Sequence, residues 1–154
     1  MSAFTRANMA TYGQNIKKYK WRADNGRAQI VIERTYINFD KLATAVGTAL
    51  AASDTYQIFD IEPNETVLVM GFHIATAATG AADIDIGLTG GDVDGFVDGI
   101  EANDTSPTVV AAPFGLISGT KFSSADTIDI LEASGGASLA GCKAYFWVIK
   151  LRID

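Results

Sequence analysis

The 154-residue sequence predicts an all-β domain, a jelly-roll-type antiparallel β-sandwich with an extended N-terminal arm. Three observations lead there. Apolar residues recur at every second position in several segments, which marks strands with one buried face. Gly, Pro, Asp and Asn punctuate the intervals between those segments. Helical periodicity is almost absent, and long strands with uneven connections point to a jelly roll.

The elements follow in order. Residues 1–26 show no sustained period and read as an arm, leaving 27–154 as the sandwich domain. Arg27–Phe39 is rich in β-branched and aromatic residues and reads as a strand. Asp40–Ala52 carries a weak helical trace through Leu42, Val46, Ala49 and Leu50, with Asp40 as the candidate N-cap. Gly47 and its β-branched neighbours weaken that trace, so an irregular or extended connection is expected. Thr55–Ile61 alternates, and Glu62-Pro63-Asn64-Glu65 is a turn with proline preset for a central position. Thr66–Ala77 and Ala82–Thr89, separated by small residues, read as a hairpin around which other strands gather. A Gly/Asp loop, 90–99, and a mostly irregular stretch to Pro107 come next. Thr108–Ala112 and Gly115–Phe122 are short strand candidates, and Thr127–Ala133 alternates clearly. The closing run Gly141–Asp154 is the most apolar. Tyr145, Trp147, Ile149, Leu151 and Ile153 share one face, with Phe146 and Val148 and then Lys150 and Arg152 opposite, so the run reads as buried on both faces early and on the first face alone late; so apolar a strand belongs in a sheet centre.

The composition, 48% hydrophobic and 19% charged, suits one domain with its own core and argues against disorder throughout. The single cysteine, Cys142, forms no internal disulfide, so nothing requires an oxidising compartment. No secretory signal is visible, and the longest apolar run, Val67–Ala82, turns midway and holds polar residues; no membrane association is expected. Charge is uneven. Residues 1–41 hold eight basic and three acidic side chains, a net of +5. The remaining four bases and fifteen acids give −11, which accounts for the total of −6. A basic head on an acidic body suggests a segment that docks on something negative. Lys17, Lys18, Tyr19, Lys20, Trp21 and Arg22 are the candidate partner-binding residues, combining charge with aromatic anchors. The same residues suit single-stranded nucleic acid, but an acidic body repels phosphates, so no nucleic-acid partner is expected.

Catalytic, cofactor and metal sites are expected to be absent. Asp92, Asp94 and Asp98 with their glycines resemble a Ca²⁺ loop, yet the spacing is not that of an EF-hand and an Asp-Gly turn cluster explains it. His73 is the only histidine and sits in an apolar strand, where a hydrogen-bonded structural role is expected. A partnership with Cys142 has no support from spacing. Asp83 and Asp85 share a strand face, as glycosidase carboxylates do, but alternating acids on a wet face are ordinary. No glycine loop leads from a strand into a helix, so nucleotide binding is not indicated.

The stretch Ala49–Val69, the segment Asp83-Ile84-Asp85-Ile86-Gly87, the loop Asp94–Gly99 and the aromatic closing strand together resemble small structural proteins of tailed phages of marine bacteria, capsid decoration (cement) proteins in particular. The resemblance covers about residues 27–154 and leaves the basic arm outside it. It implies a non-enzymatic virion protein on the capsid surface, assembled in the host cytoplasm. It also implies binding to the major capsid protein and self-association, with a trimer expected. Two alternatives stay open: a carbohydrate-binding jelly-roll module, or another virion knob, fibre or adaptor protein. Exposed aromatics beside the Asp92–Asp98 loop would favour the carbohydrate module.

Overall fold

The computed structural model describes residues 3–4, 17–22, 28–46, 54–88, 91–105, 108–111, 120–133 and 139–153. Ten strands and one helix run in the order β1 (Ala3–Phe4), β2 (Lys17–Arg22), β3 (Ala28–Asn38), α1 (Phe39–Val46), β4 (Thr55–Ile61), β5 (Glu65–Thr76), β6 (Asp83–Leu88), β7 (Val97–Glu101), β8 (Thr108–Ala111), β9 (Asp126–Glu132) and β10 (Lys143–Ile153). They form two five-stranded sheets, one ordered β1-β4-β9-β6-β7 and the other β2-β3-β10-β5-β8. Leaving out β1 and β2, the orders 4-9-6-7 and 3-10-5-8 are those of a jelly roll, in which consecutive strands alternate between sheets except for the paired β6 and β7. The fold class is therefore as expected. The strand candidate Gly115–Phe122 lies mostly outside the described residues; within it, Lys121 makes an isolated bridge to Thr66.

The core lies between the sheets. Ile37 of β3, Met70, Phe72 and Ile74 of β5, and Phe146 and Val148 of β10 meet Ile58, Phe59, Ile84, Ile86, Ile128 and Ile130 from the other sheet. As expected, β10 is central, paired antiparallel with both β3 and β5 along nearly its whole length.

Three expectations need correction. β5 and β6 are not a hairpin: β5 pairs with β10 and β8, β6 with β9 and β7. Residues 77–82 instead carry the chain from one sheet to the other, with Ala78 and Ala82 buried and the Thr79 N–H donating to the Ala140 carbonyl at 3.0 Å. Alternation records a buried face and not the identity of the neighbouring strand, so a crossover and a hairpin look alike in it. The stretch after Phe39 is helical. Asn38, not Asp40, caps it by accepting from the Lys41 N–H at 3.1 Å, while Phe39 and Leu42 bury the inner face. Asp40 accepts instead from the Gly141 N–H at 2.8 Å, tying the helix start to the turn before β10. In β10 the core face is Ala144, Phe146, Val148 and Lys150: Phe146 and Val148 are buried as expected, but Tyr145 is exposed, and towards the strand's end Lys150 is the buried side chain and Ile153 an exposed one, the opposite parity to that expected there.

The turn between β4 and β5 is as read. The Glu65 N–H donates to the Glu62 carbonyl at 3.1 Å, and Asn64 has φ 68°, the left-handed position that follows proline in a type II turn. β7, a strand, falls where the sequence reads as irregular.

Candidate protein-interaction face

Two features of the second sheet follow from strand parity, one on each side. Inside, where the sandwich should be apolar, lies a charged cluster. Lys150, Glu33 and Glu65 are each fully buried. The Lys150 ammonium contacts Glu33 Oε1 at 2.9 Å and Glu65 Oε2 at 2.8 Å, and donates to the Asp60 carbonyl of the facing sheet. Glu65 Oε2 also accepts from the Glu62 N–H at 2.9 Å. Lys18 of β2 reaches Glu33 Oε1 at 3.0 Å and Glu62 Oε1 at 3.4 Å, Lys20 reaches Glu62 at 3.5 Å, and Arg152 pairs with Glu62 Oε2. Partial burial alone would raise the Glu62 carboxyl; the adjacent Lys18 and Lys20 bring it below its ordinary value.

Outside, the sheet is apolar. Its registers align the outward residues in rows across β2, β3, β10 and β5. One row is Tyr19, Ile32, Ile149 and Val69; the next is Trp21, Ile30, Leu151 and Thr66; on the other side come Arg34, Trp147 and Gly71, then Tyr36, Tyr145 and His73. The Tyr36 and Tyr145 rings lie 4.8 Å apart, and His73 stacks on Tyr145 at 6.4 Å. Gly71 exists for Trp147: a Cβ there would fall 2.1 Å from the indole Cζ2, so the ring lies flat on bare backbone. Among the described residues six large hydrophobics are exposed. Five of them belong to this face: Tyr19 (46%), Trp21 (54%), Ile30 (44%), Tyr145 (47%) and Ile153 (54%).

The candidate partner-binding residues divide by this parity. Lys17–Arg22 is a six-residue edge strand paired with β3, not a free arm. Lys18 and Lys20 face inward, to carboxylates of their own chain. Tyr19 and Trp21 face outward with ring centroids 6.3 Å apart, at the border of the apolar face. Lys17 and Arg22 open and close the strand. The sequence reading missed Ile30, Ile32, Tyr36 and Arg34 as surface residues and assigned Tyr145–Ile153 to the core. The available signal was in β10, apolar on both faces from Ala144 to Ile149, more than a sandwich sheet with one wet face needs.

The other chemistry-bearing residues do not converge. His73 lies on the outer face and stacks on Tyr145; its Nδ1 is buried with no hydrogen-bond partner. Cys142 is fully buried in the core cluster, where burial first and Asp40 second push its thiol up to about 11, the state of an inert thiol. Asp92, Asp94 and Asp98 are exposed, and no group of three metal-ligating side chains assembles among the described residues. Asp85 instead accepts from the Gly99 N–H at 2.9 Å and organises the loop; burial raises its carboxyl despite that bond, and Asp98, Asp94 and Asp83 add to the rise. Beside the loop, Phe72, Val97, Asp98, Ile100, Glu101 and Asp104 line an open cleft of about 400 Å³. Phe96 in that loop is buried, and no described aromatic is exposed there, so the feature that would favour a carbohydrate module is missing from the described residues. No described helix is long and apolar enough to cross a membrane.

Fold and face together define a single jelly-roll domain that presents a broad apolar sheet surface and, among its described residues, assembles no nucleophile–base pair. Solved structures share the fold. A chain in the capsid of Ralstonia phage GP4 matches with TM-score 0.57 and 13% identity over 81% of this chain and 85% of that one. A chain of the cyanophage Pam1 capsid asymmetric unit matches with TM-score 0.54 and 12% identity over 92% and 86%. A chain of the acid-stable capsid of Helicobacter pylori bacteriophage KHP30 matches with TM-score 0.55 and 10% identity over 89% and 93%. No protein-family model and no curated protein matches the sequence.

Proposed function

We propose that the chain is a virion structural protein, a capsid decoration (cement) protein that binds the assembled shell through the major capsid protein and stabilises it as a homo-oligomer, a trimer by expectation. The observation that carries this is mutual coverage. The similar chains come from phage capsids, and 85%, 86% and 93% of their lengths are spanned by this one small fold. They are little more than a jelly roll themselves, which fits an accessory part of a shell. The apolar sheet face agrees, since patches above a few hundred Å² mark association sites. We place shell docking on β2, Lys17–Arg22, whose Tyr19 and Trp21 stand outward as aromatic anchors. Neither nucleic acid nor membrane is a partner in this reading.

Deleting residues 1–22 would strip a paired strand and the Lys18–Glu33 contact, mixing stability with docking. Point changes separate them. Tyr19→Ser with Trp21→Ser, both exposed, leaves the ladder in place. The purified double variant is added to shells lacking this protein and its occupancy counted by cryo-electron microscopy. The expected result is a folded protein absent from the particle. Full occupancy refutes docking through β2; failure of the wild-type chain to bind shells refutes the decoration role.

A further inference from the structure

We propose that copies of this chain join through the outer face of the β2-β3-β10-β5-β8 sheet, the belt of Ile32, Ile149 and Val69 on one copy covered by another copy, with Tyr19 and Trp21 of the edge strand β2 left at its border. The inference rests on the homo-oligomeric part of the reading above and supplies the surface for it.

Area sets the first condition. Strands lie about 4.8 Å apart and rise about 3.4 Å per residue, so β3, β10 and β5 over the eleven residues of β10, with the six residues of β2, present about 640 Å². Stable associations bury about 600–1,000 Å² per partner, so this face with its rim reaches the lower end of that range. Composition sets the second. Tyr, Trp and Ile fill the rows, and the side chains protrude: Trp21, Tyr145 and Ile153 are about half exposed. Such a surface resembles a domain core cut in half, the character of homomeric interfaces.

Charge decides between another copy and a foreign partner. The chain has 18 acidic residues, yet no outward position of these four strands holds one. The outward cations Arg34 and Lys143 stand on one side of the belt, Arg34 in the adjoining row. A contact centred on Ile32 and Ile149 therefore buries no carboxylate, and Arg34 is the one charge beside it. Foreign partners are selected by complementary charge at the contact. The belt has none to offer, and an uncharged apolar row is self-complementary, as an interface between identical chains must be when it is isologous. The layout also leaves the outer edge of β2 beside the joint.

The test is sedimentation velocity on the full chain from about 1 to 50 μM, a range that brackets the affinities of specific association. The wild type is expected to be oligomeric. Ile149→Glu places a carboxylate in the belt and is expected to weaken association by at least about 30-fold, the scale of one hot-spot contact, with an unchanged circular dichroism spectrum. Should that variant misfold, Tyr145→Ser, at an exposed position, is expected to weaken association in the same direction. Val93→Ser, at the exposed hydrophobic residue away from this face, should leave the oligomer intact. An oligomer of unchanged affinity in folded Ile149→Glu or Tyr145→Ser overturns the proposed surface while leaving the decoration reading standing. A wild-type monomer across the range overturns self-association itself. If that monomer binds shells and Ile149→Glu does not, the face belongs to the shell and the proposal fails in that direction.

Discussion

Lys150→Met should test whether the buried charges act as a unit. Methionine keeps the length and apolar stem of lysine but removes the ammonium that contacts Glu33 and Glu65 at 2.9 and 2.8 Å. All three residues are fully buried, so the carboxylates left behind cannot recover hydration. Removing one partner from a buried ion pair costs about 3–5 kcal/mol. The two carboxylates do not suffer equally. Glu33 keeps Lys18 at 3.0 Å; Glu65 keeps only the Glu62 N–H, and its Oε1 already lacks a hydrogen-bond partner. The loss should therefore fall mainly on Glu65 and sit near the lower end, about 3 kcal/mol. For a domain of this size that corresponds to about 6–12 °C in Tm. Urea denaturation followed by circular dichroism measures it. Adding Glu65→Gln to Lys150→Met should recover most of the loss, because the double variant no longer buries a lone charge. A cost below about 1 kcal/mol for Lys150→Met would show that water reaches the cluster. A double variant no better than the single would show that Glu65 does not depend on Lys150.

Two further outcomes follow from the same geometry. Gly71→Ala pushes a methyl into the Trp147 indole and should cost about 1 kcal/mol, the low end for overpacking, because the ring can swing outward; in a Trp147→Ala background the same change should cost nothing, and equal costs in both backgrounds would disprove the contact. Glu132 is buried with neither carboxylate oxygen hydrogen-bonded, and burial first, then Asp54, raises its carboxyl above the ordinary 4.5. An acid raised in the folded state weakens the fold at pH above its folded value, and the penalty fades as pH falls through that value. Glu132→Gln should therefore raise Tm at pH 8 and lose its advantage near pH 4; an advantage that does not shrink on acidification would rule out titration of Glu132 as its source.

How much of this was legible in the sequence depends on what each pattern measures. The strand segments and the central place of β10 were readable, because alternation and apolar density report burial directly. Pairing was not. Thr66–Ala77 and Ala82–Thr89 have the alternation and small-residue turn of a hairpin, and only competition with β10 and β9 for the same ladder positions sends them to different sheets. The helix at Phe39–Val46 was hidden by its β-branched residues, whose weak propensity is overridden by the burial of Phe39 and Leu42 and by the Asn38 cap. β7 was hidden by the glycines and aspartates around it.

The candidate site was half legible, and the same ambiguity explains both halves. Lys17–Arg22 stood out by its alternation of cations and aromatics, yet alternation in a strand sends the two kinds to opposite faces. The lysines turn to Glu33 and Glu62 and hold the strand to its own sheet, while Tyr19 and Trp21 are left to face outward. The later part of β10 is out by one residue in the sequence reading because Lys150 and Arg152 are taken there to mark the wet face. A lysine marks the wet face only when no carboxylate waits inside, and Glu33 and Glu65 are far from it in sequence. Once those charges are placed in the core, parity leaves Tyr145, Trp147, Ile149 and Leu151 nowhere to go but out. The inner ion cluster and the outer apolar face are thus two consequences of one register. A change that frees Lys150 from its carboxylates weakens the pairing that aligns Ile149 with Ile32, so Lys150→Met should also loosen any assembly built on that belt.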